Sequence, residues 1–252
     1  MPLVELILAG LVLGFLNTVS SGGSVVSLPL LIALGYPPAV ANATNRVPVA
    51  IGLLLAIWQF HKAGSIPWST CLKLAPLILI GTFVGAQISL LIPRSALAGA
   101  ITFAVLMALV LLLIKPRRWL ERNPTESSVL VLTPQLLLLL FLVSVWNGFI
   151  VLDAGTYFLL SLTLLGGIGL AQANVLKVVL MGASGLFSLL IFSGYNTVNW
   201  PAAFPLAVGS VVGSLIGSRL VLGSRAKQWI YWSLVVTISA GLIVKLVEFL
   251  LA

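Results

Sequence analysis

The sequence predicts an all-α polytopic membrane protein of two inverted-topology repeats. Each repeat is a broken or re-entrant helix hairpin followed by three transmembrane helices. Composition, an internal repeat and polar breaks inside apolar sequence carry that prediction. Hydrophobic residues make up 60% of the chain and charged residues only 7%, against about 25% charged in soluble domains. Mean hydropathy is +1.21. Charge-free runs such as 97–114, 136–145 and 206–216 match the ~20 apolar residues that cross a ~30 Å hydrocarbon core. They lack the apolar–polar alternation of barrel strands.

The repeat appears when the sequence slides against itself without gaps by 132 positions. Gly23 then meets Gly155, Gly35 meets Gly167, Asn42 meets Asn174, Phe60 meets Phe192, Trp68 meets Trp200, and Gly81 and Gly85 meet Gly213 and Gly217. This divides the chain into an N-terminal repeat (1–118), a polar linker (119–128) and a C-terminal repeat (129–252).

In chain order, Leu3–Val19 is expected as a helix, broken at Ser20–Gly23 and resumed over Ser24–Leu34. As one helix, residues 3–34 would measure about 48 Å, too long for an ordinary crossing, so the break is read as a hairpin that enters and returns. Backbone outside a helix is tolerated at that depth only inside protein or beside water. Gly35–Pro38 is a turn. Spans follow at Ala39–Phe60, Cys71–Ile92 and Leu97–Ile114, with His61–Thr70 as a loop. The second half repeats the series: Val129–Leu152, a break near Asp153–Gly155, Thr156–Leu165, a turn at Gly166–Gly167, and spans at 170–192, 201–222 and 228–251.

Loop charges bear on orientation. A hairpin plus three spans makes an odd number of crossings, which inverts the halves. One side then collects Lys62, Lys73, Lys115, Arg117, Arg118, Arg122, Arg219, Arg225 and Lys227, and the other holds Arg94 and Lys245. Parallel halves divide the charges more evenly. The positive-inside rule therefore favours inversion in a bacterial cytoplasmic membrane, with the linker cytoplasmic and both termini outside. The first span has Glu5 where a signal peptide carries Lys or Arg, so it is expected to remain. The net charge of +8 is read as loop charge that sets orientation, not as a nucleic-acid surface. One cysteine (Cys71) and one histidine (His61) exclude an intramolecular disulfide and a Cys or His metal cluster. No cofactor is implied.

The candidate site gathers the polar residues stranded in apolar sequence. Ser20, Ser21, Gly22, Gly23 and Ser24 can open a half-helix whose amino end carries partial positive charge and free N–H groups, suited to an anion. The alternative reading is a Gly/Ser kink packed on a neighbour. Asn17 precedes the break. Arg46 falls about 12 Å beyond the Pro37–Pro38 turn, near mid-depth, and Lys177 lies at similar depth from the opposite face. A charge there costs at least ~2.5 kcal/mol, so both are expected to face a polar cavity, unless they snorkel or pair. Asn42, Thr44 and Asn45 accompany Arg46, and Asn174 accompanies Lys177. Gly155 and Thr156 complete the second break. Asp153 is the acid inside the apolar region. It reads either as a helix cap or ion-pair partner, or as a proton-coupling carboxylate. The Gly81–Gly85 and Gly209–Gly213–Gly217 spacings read as close helix packing, and Trp68, Trp119, Trp200, Trp229 and Trp232 as interfacial anchors. Neither a catalytic constellation nor a nucleotide-binding motif is present, so an enzyme is not expected.

The stretch GFLNTVSSGGSVVSLPLLIALGYPPAVANATNRV, with its echo AQANVLKV, resembles the TauE/SafE family of sulfite and organosulfur-anion exporters. The resemblance implies transport of a small sulfur-containing anion such as sulfite, thiosulfate or a sulfonate. The residues themselves point to a secondary transporter with a midplane site between its halves, binding a small anionic solute within a lipid bilayer; an anion channel of the same architecture is the alternative. Arg46→Ala is expected to abolish binding and leave the protein folded.

Overall fold

The structure, a computed structural model, describes residues 2–93, 99 and 130–233. Among them are helices α1 (Leu3–Val19), α2 (Ser24–Ala33), α3 (Pro38–Lys62), α4 (Trp68–Leu91), α5 (Pro134–Phe149), α6 (Ala154–Leu164), α7 (Leu170–Gly194) and α8 (Trp200–Val221). Another helical stretch begins at Ala226. α3, α4, α7 and α8 are each long and apolar enough to cross a membrane. The expected span 97–114 (save Gly99), the linker 119–128 and most of 228–251 lie outside the described residues.

Local chemistry sets the starts. Pro38, Pro134 and Pro201 occupy first-turn positions, where a missing N–H costs nothing. The Thr133 side chain accepts from the Leu136 N–H at 3.2 Å, and Asn199 accepts from the Ala202 N–H at 3.1 Å, as N-cap residues do. α1 has 17 residues and α2 has 10, or about 25 and 15 Å, each short of a full crossing. The chain folds back between them: a Cβ at Gly23 would overlap the Leu13 carbonyl, one and a half turns up α1. In the second hairpin the Val131 N–H donates to the Gly166 carbonyl at 3.2 Å and closes the base.

Backbone contacts at glycine fix the directions. On α1, Gly10 abuts Leu206 and Gly14 abuts Ser210; on α8, Gly209 abuts Ile7 and Gly213 abuts Leu11. The two helices therefore run parallel with no side chain between them. Gly81 and Gly85 abut Phe141 and Val145, and Gly148 abuts Thr82, so α4 and α5 are also parallel. Gly182 faces Leu53 and Ile57 while Gly185 faces Val49 and Ala50, so α3 and α7 are antiparallel. The first helix of each hairpin thus packs on the second long described helix of the other half, and the two hairpin bases lie at opposite ends of the bundle.

Three expectations change. The second break is Ile150–Asp153, not Asp153–Gly155: α5 stops at Phe149, and Ile150 is extended (φ −139°, ψ 132°). The reason is tertiary, because the side-chain Oδ1 of Asn42 accepts the Val151 N–H at 3.0 Å. The repeat is not ungapped either. The glycine contacts pair Phe141 with Leu11 and Val145 with Phe15, so α5 lags the later register by two residues. Asn147, not Phe149, is the mate of Asn17. The left-handed residue of each break is Gly22 (φ 85°) in one half and Asp153 (φ 55°) in the other. Finally, His61 belongs to the last turn of α3, where its Nδ1 accepts from Trp68 Nε1 at 3.2 Å.

Candidate functional site

A helix that stops inside a protein leaves its last carbonyls unpaired and partly negative. α1 and α5 both stop inside, and each is capped from the opposite half. Lys177 Nζ, on α7, donates to the carbonyls of Asn17 at 2.8 Å and Ser20 at 2.5 Å. Asn174 Nδ2, one turn earlier, donates to the Thr18 carbonyl at 2.9 Å. On α3, Arg46 donates through Nη1 to the Asn147 carbonyl at 3.1 Å and through Nη2 to the Gly148 carbonyl at 2.7 Å. Asn42 Nδ2 donates to the Phe149 carbonyl at 3.0 Å. Arg46 Nη1 also reaches Ser188 Oγ at 2.8 Å, and its guanidinium carbon lies 4.3 Å from the Phe192 ring centroid. Arg46, Lys177, Asn42 and Asn174 are all fully buried. A buried cation is tolerated only when paired and hydrogen-bonded, and here helix-end carbonyls supply the pairing.

The tips of the hairpins touch. The Ser21 hydroxyl of the first donates to Asp153 Oδ1 of the second at 3.2 Å, and the Thr156 hydroxyl donates to the same oxygen at 2.6 Å. Gly155 lies so close that a Cβ there would meet Ser21 Oγ and Met181 Sδ. The Gly23 N–H donates to Asn17 Oδ1 at 3.0 Å. Ser27 donates to Asn45 Oδ1 at 2.7 Å. The amino ends of α2 and α6, with Gly22 and Ser24 beside them, open onto this contact. Among the sequence-predicted residues, Thr44 stands apart: its hydroxyl accepts the Asn199 N–H at 2.9 Å, at the head of α8.

Sequence reasoning missed a polar layer behind the tips. Asn147 Nδ2 donates to Ser184 Oγ at 2.7 Å, and Ser184 and Thr82 share a hydrogen bond of 2.7 Å. Asn147 was findable, since it repeats Asn17 once a gap is allowed. Several buried polar atoms meet no partner among the described residues: Asn17 Nδ2, Thr18 Oγ1, Asn45 Nδ2, Arg46 Nε, Asn147 Oδ1, Asp153 Oδ2 and Asn174 Oδ1. Every one belongs to a tip or to the residues that hold it. A buried polar group left unpaired costs about 1–3 kcal/mol, so the tips are where the described residues concentrate unsatisfied polarity.

The sequence profile of the family described as Sulfite exporter TauE/SafE matches residues 6–245. The chain belongs to that family. It is similar to a probable membrane transporter protein of a Sinorhizobium species, at 23% identity over 97% of this chain and 92% of the relative. It is also similar to one of Escherichia coli K12, at 27% over 92% and 85%, and to one of Bacillus subtilis, at 27% over 95% and 99%. No solved structure matches. The apolar helices, the family and these relatives agree on a multi-pass TauE/SafE membrane transporter.

Proposed function

We propose that this TauE/SafE protein is a secondary transporter of a small anion, sulfite or an organosulfonate or thiosulfate-like anion, with its site where the hairpin tips meet. One observation carries the sign of the cargo. The charged residues buried among the described residues are Arg46, Lys177 and Asp153, two cations against one acid, a net single positive charge. The cations quench the negative carboxyl ends of α1 and α5, which leaves the positive amino ends of α2 and α6 facing the tips. The ligands proposed are the N–H groups around Gly22, Gly23, Ser24 and Gly155, the hydroxyls of Ser20, Ser21 and Thr156, and the amides of Asn17, Asn45 and Asn174. Asn42, Arg46 and Lys177 act beside them by holding the tips and by their charge.

Alternating access follows from the directions of the elements. Hairpin bases at opposite ends support inverted repeats, the arrangement in which one half rocks against the other about a fixed site. The sealing of the tips supports a carrier over a standing pore: Ser20, Asn45, Arg46, Asn174 and Lys177 are each 0% exposed. The basic loop residues support a cytoplasmic linker in a bacterial inner membrane.

Titration calorimetry of the purified protein with sulfite, thiosulfate, sulfoacetate, taurine, sulfate and acetate tests the reading. Saturable binding of a sulfur anion, weakened by Ser21→Ala, is expected. Indifference to every anion would remove it and leave only the architecture.

A further inference from the structure

Transporters with broken helices offer a coupling cation two kinds of seat: the bare carbonyls at half-helix carboxyl ends, and an acidic side chain within the membrane. Here the chain's own cations fill the first kind, Lys177 at the end of α1 and Arg46 at the end of α5. The second kind is Asp153, 5% exposed and held at the tip in a left-handed turn at φ 55°. Its Oδ1 takes the hydroxyls of Ser21 and Thr156, while its Oδ2 meets no donor among the described residues. An ionised carboxylate half-satisfied in this way is costly, and a proton on Oδ2 removes the cost.

We propose that Asp153 is the proton-binding switch of the anion site, so that the carrier takes its anion together with a proton and needs no sodium. The inference rests on the anion reading above. With Asp153 ionised, the Ser21 and Thr156 hydroxyls point at Oδ1 and the carboxylate repels an incoming anion. With a proton on Oδ2, Oδ1 becomes a weak acceptor, both hydroxyls turn to the anion, and the repulsion is gone. Among the described residues, the charged and titratable groups facing the tips are Lys177 from α7, Arg46 from α3, and Tyr157 on α6 itself. The chain between positions 13 and 28 and between 140 and 155 adds none but Asp153. Lys177 and Arg46 already donate to helix-end carbonyls.

The test is thiosulfate binding by calorimetry on the full chain from mildly acidic to mildly alkaline pH, where thiosulfate keeps its charge. The dissociation constant is expected to be flat at low pH and to rise about tenfold per pH unit above the Asp153 midpoint, the slope of one linked proton. Asp153→Asn, isosteric and tolerant of the left-handed turn, is expected to bind without pH dependence. Thr156→Val removes a donor to the carboxylate and should move the midpoint to higher pH, which keeps the test alive if the Asn variant fails to fold. Potassium in place of sodium should change nothing. Parallel pH curves for wild type and Asp153→Asn, an unmoved midpoint in Thr156→Val, or a sodium requirement would each overturn the proposal. Absence of saturable binding of thiosulfate, sulfite, sulfoacetate and taurine alike by the wild type at every pH would overturn the anion reading itself, and this proposal with it.

Discussion

Arg46 and Lys177 show how one residue can be well placed by sequence and still keep its partner hidden. Counting residues from a turn puts both deep in the bilayer, and both are fully buried. What each one meets is set by a hairpin more than a hundred positions away along the chain, which no local pattern encodes. The geometry changes the expectation for Arg46→Ala. Truncation leaves the carbonyls of Asn147 and Gly148 buried and bare, and at about 1–3 kcal/mol for each unpaired group the variant should lose roughly 2–6 kcal/mol of stability. A lowered unfolding midpoint in detergent, with Arg46→Lys between the two, is the expected outcome. An Arg46→Ala protein as stable as the wild type would mean that the guanidinium does not hold the tip. Asn147 deserves the same test. Asn147→Leu removes the bond to Ser184 and should weaken anion binding, measured against Asn17→Leu as its repeat mate.

Elements were legible where their signals are local. The Ser-Ser-Gly-Gly break places the end of α1 at Val19 and the start of α2 at Ser24, because serine and glycine both favour leaving a helix. The second break was misplaced because Ile150, Val151 and Leu152 are apolar and carry no such signal. They lie outside the helix, with Ile150 extended, and Asn42 Oδ1, on another helix, takes the Val151 N–H. The repeat was readable in α3 and α7, which share a length of 25 residues. It slipped in the hairpins, where two residues enter and an ungapped comparison averages the shift away. The small-residue spacings read correctly as packing, since Gly85 and Gly213 lie directly on the backbones of α5 and α1. A side chain at either must push two backbones apart, and overpacking costs about 1–3 kcal/mol. Gly85→Leu and Gly213→Leu should each lower the unfolding midpoint, whereas Gly194→Leu, at the end of α7 with no described atom within 4 Å of an added Cβ, should not.

At the scale of the molecule, the all-α membrane class followed from composition, and the assembly of the halves did not. The sequence shows that two similar series exist; only the contacts show that each hairpin leans on the other half. That exchange is why the hairpin bases lie at opposite ends, and it has a direct consequence for topology. Gly35 and Gly167 are open turn residues at the two bases. After Cys71 is replaced by alanine, a cysteine at Gly35 and one at Gly167 should react with a membrane-impermeant maleimide from opposite sides of the membrane. Labelling of both from one side would mean parallel halves and would remove the rocking mechanism.

The central claim is that the touching tips carry a small sulfur anion across the membrane. Counterflow of radiolabelled sulfite in proteoliposomes tests it most directly, since exchange needs no coupling gradient. The expected result is saturable uptake into sulfite-loaded vesicles, competed by thiosulfate or a sulfonate and strongly reduced by Ser21→Ala with Thr156→Val. Uptake no greater than in protein-free vesicles, or uptake indifferent to both tip substitutions, would contradict it.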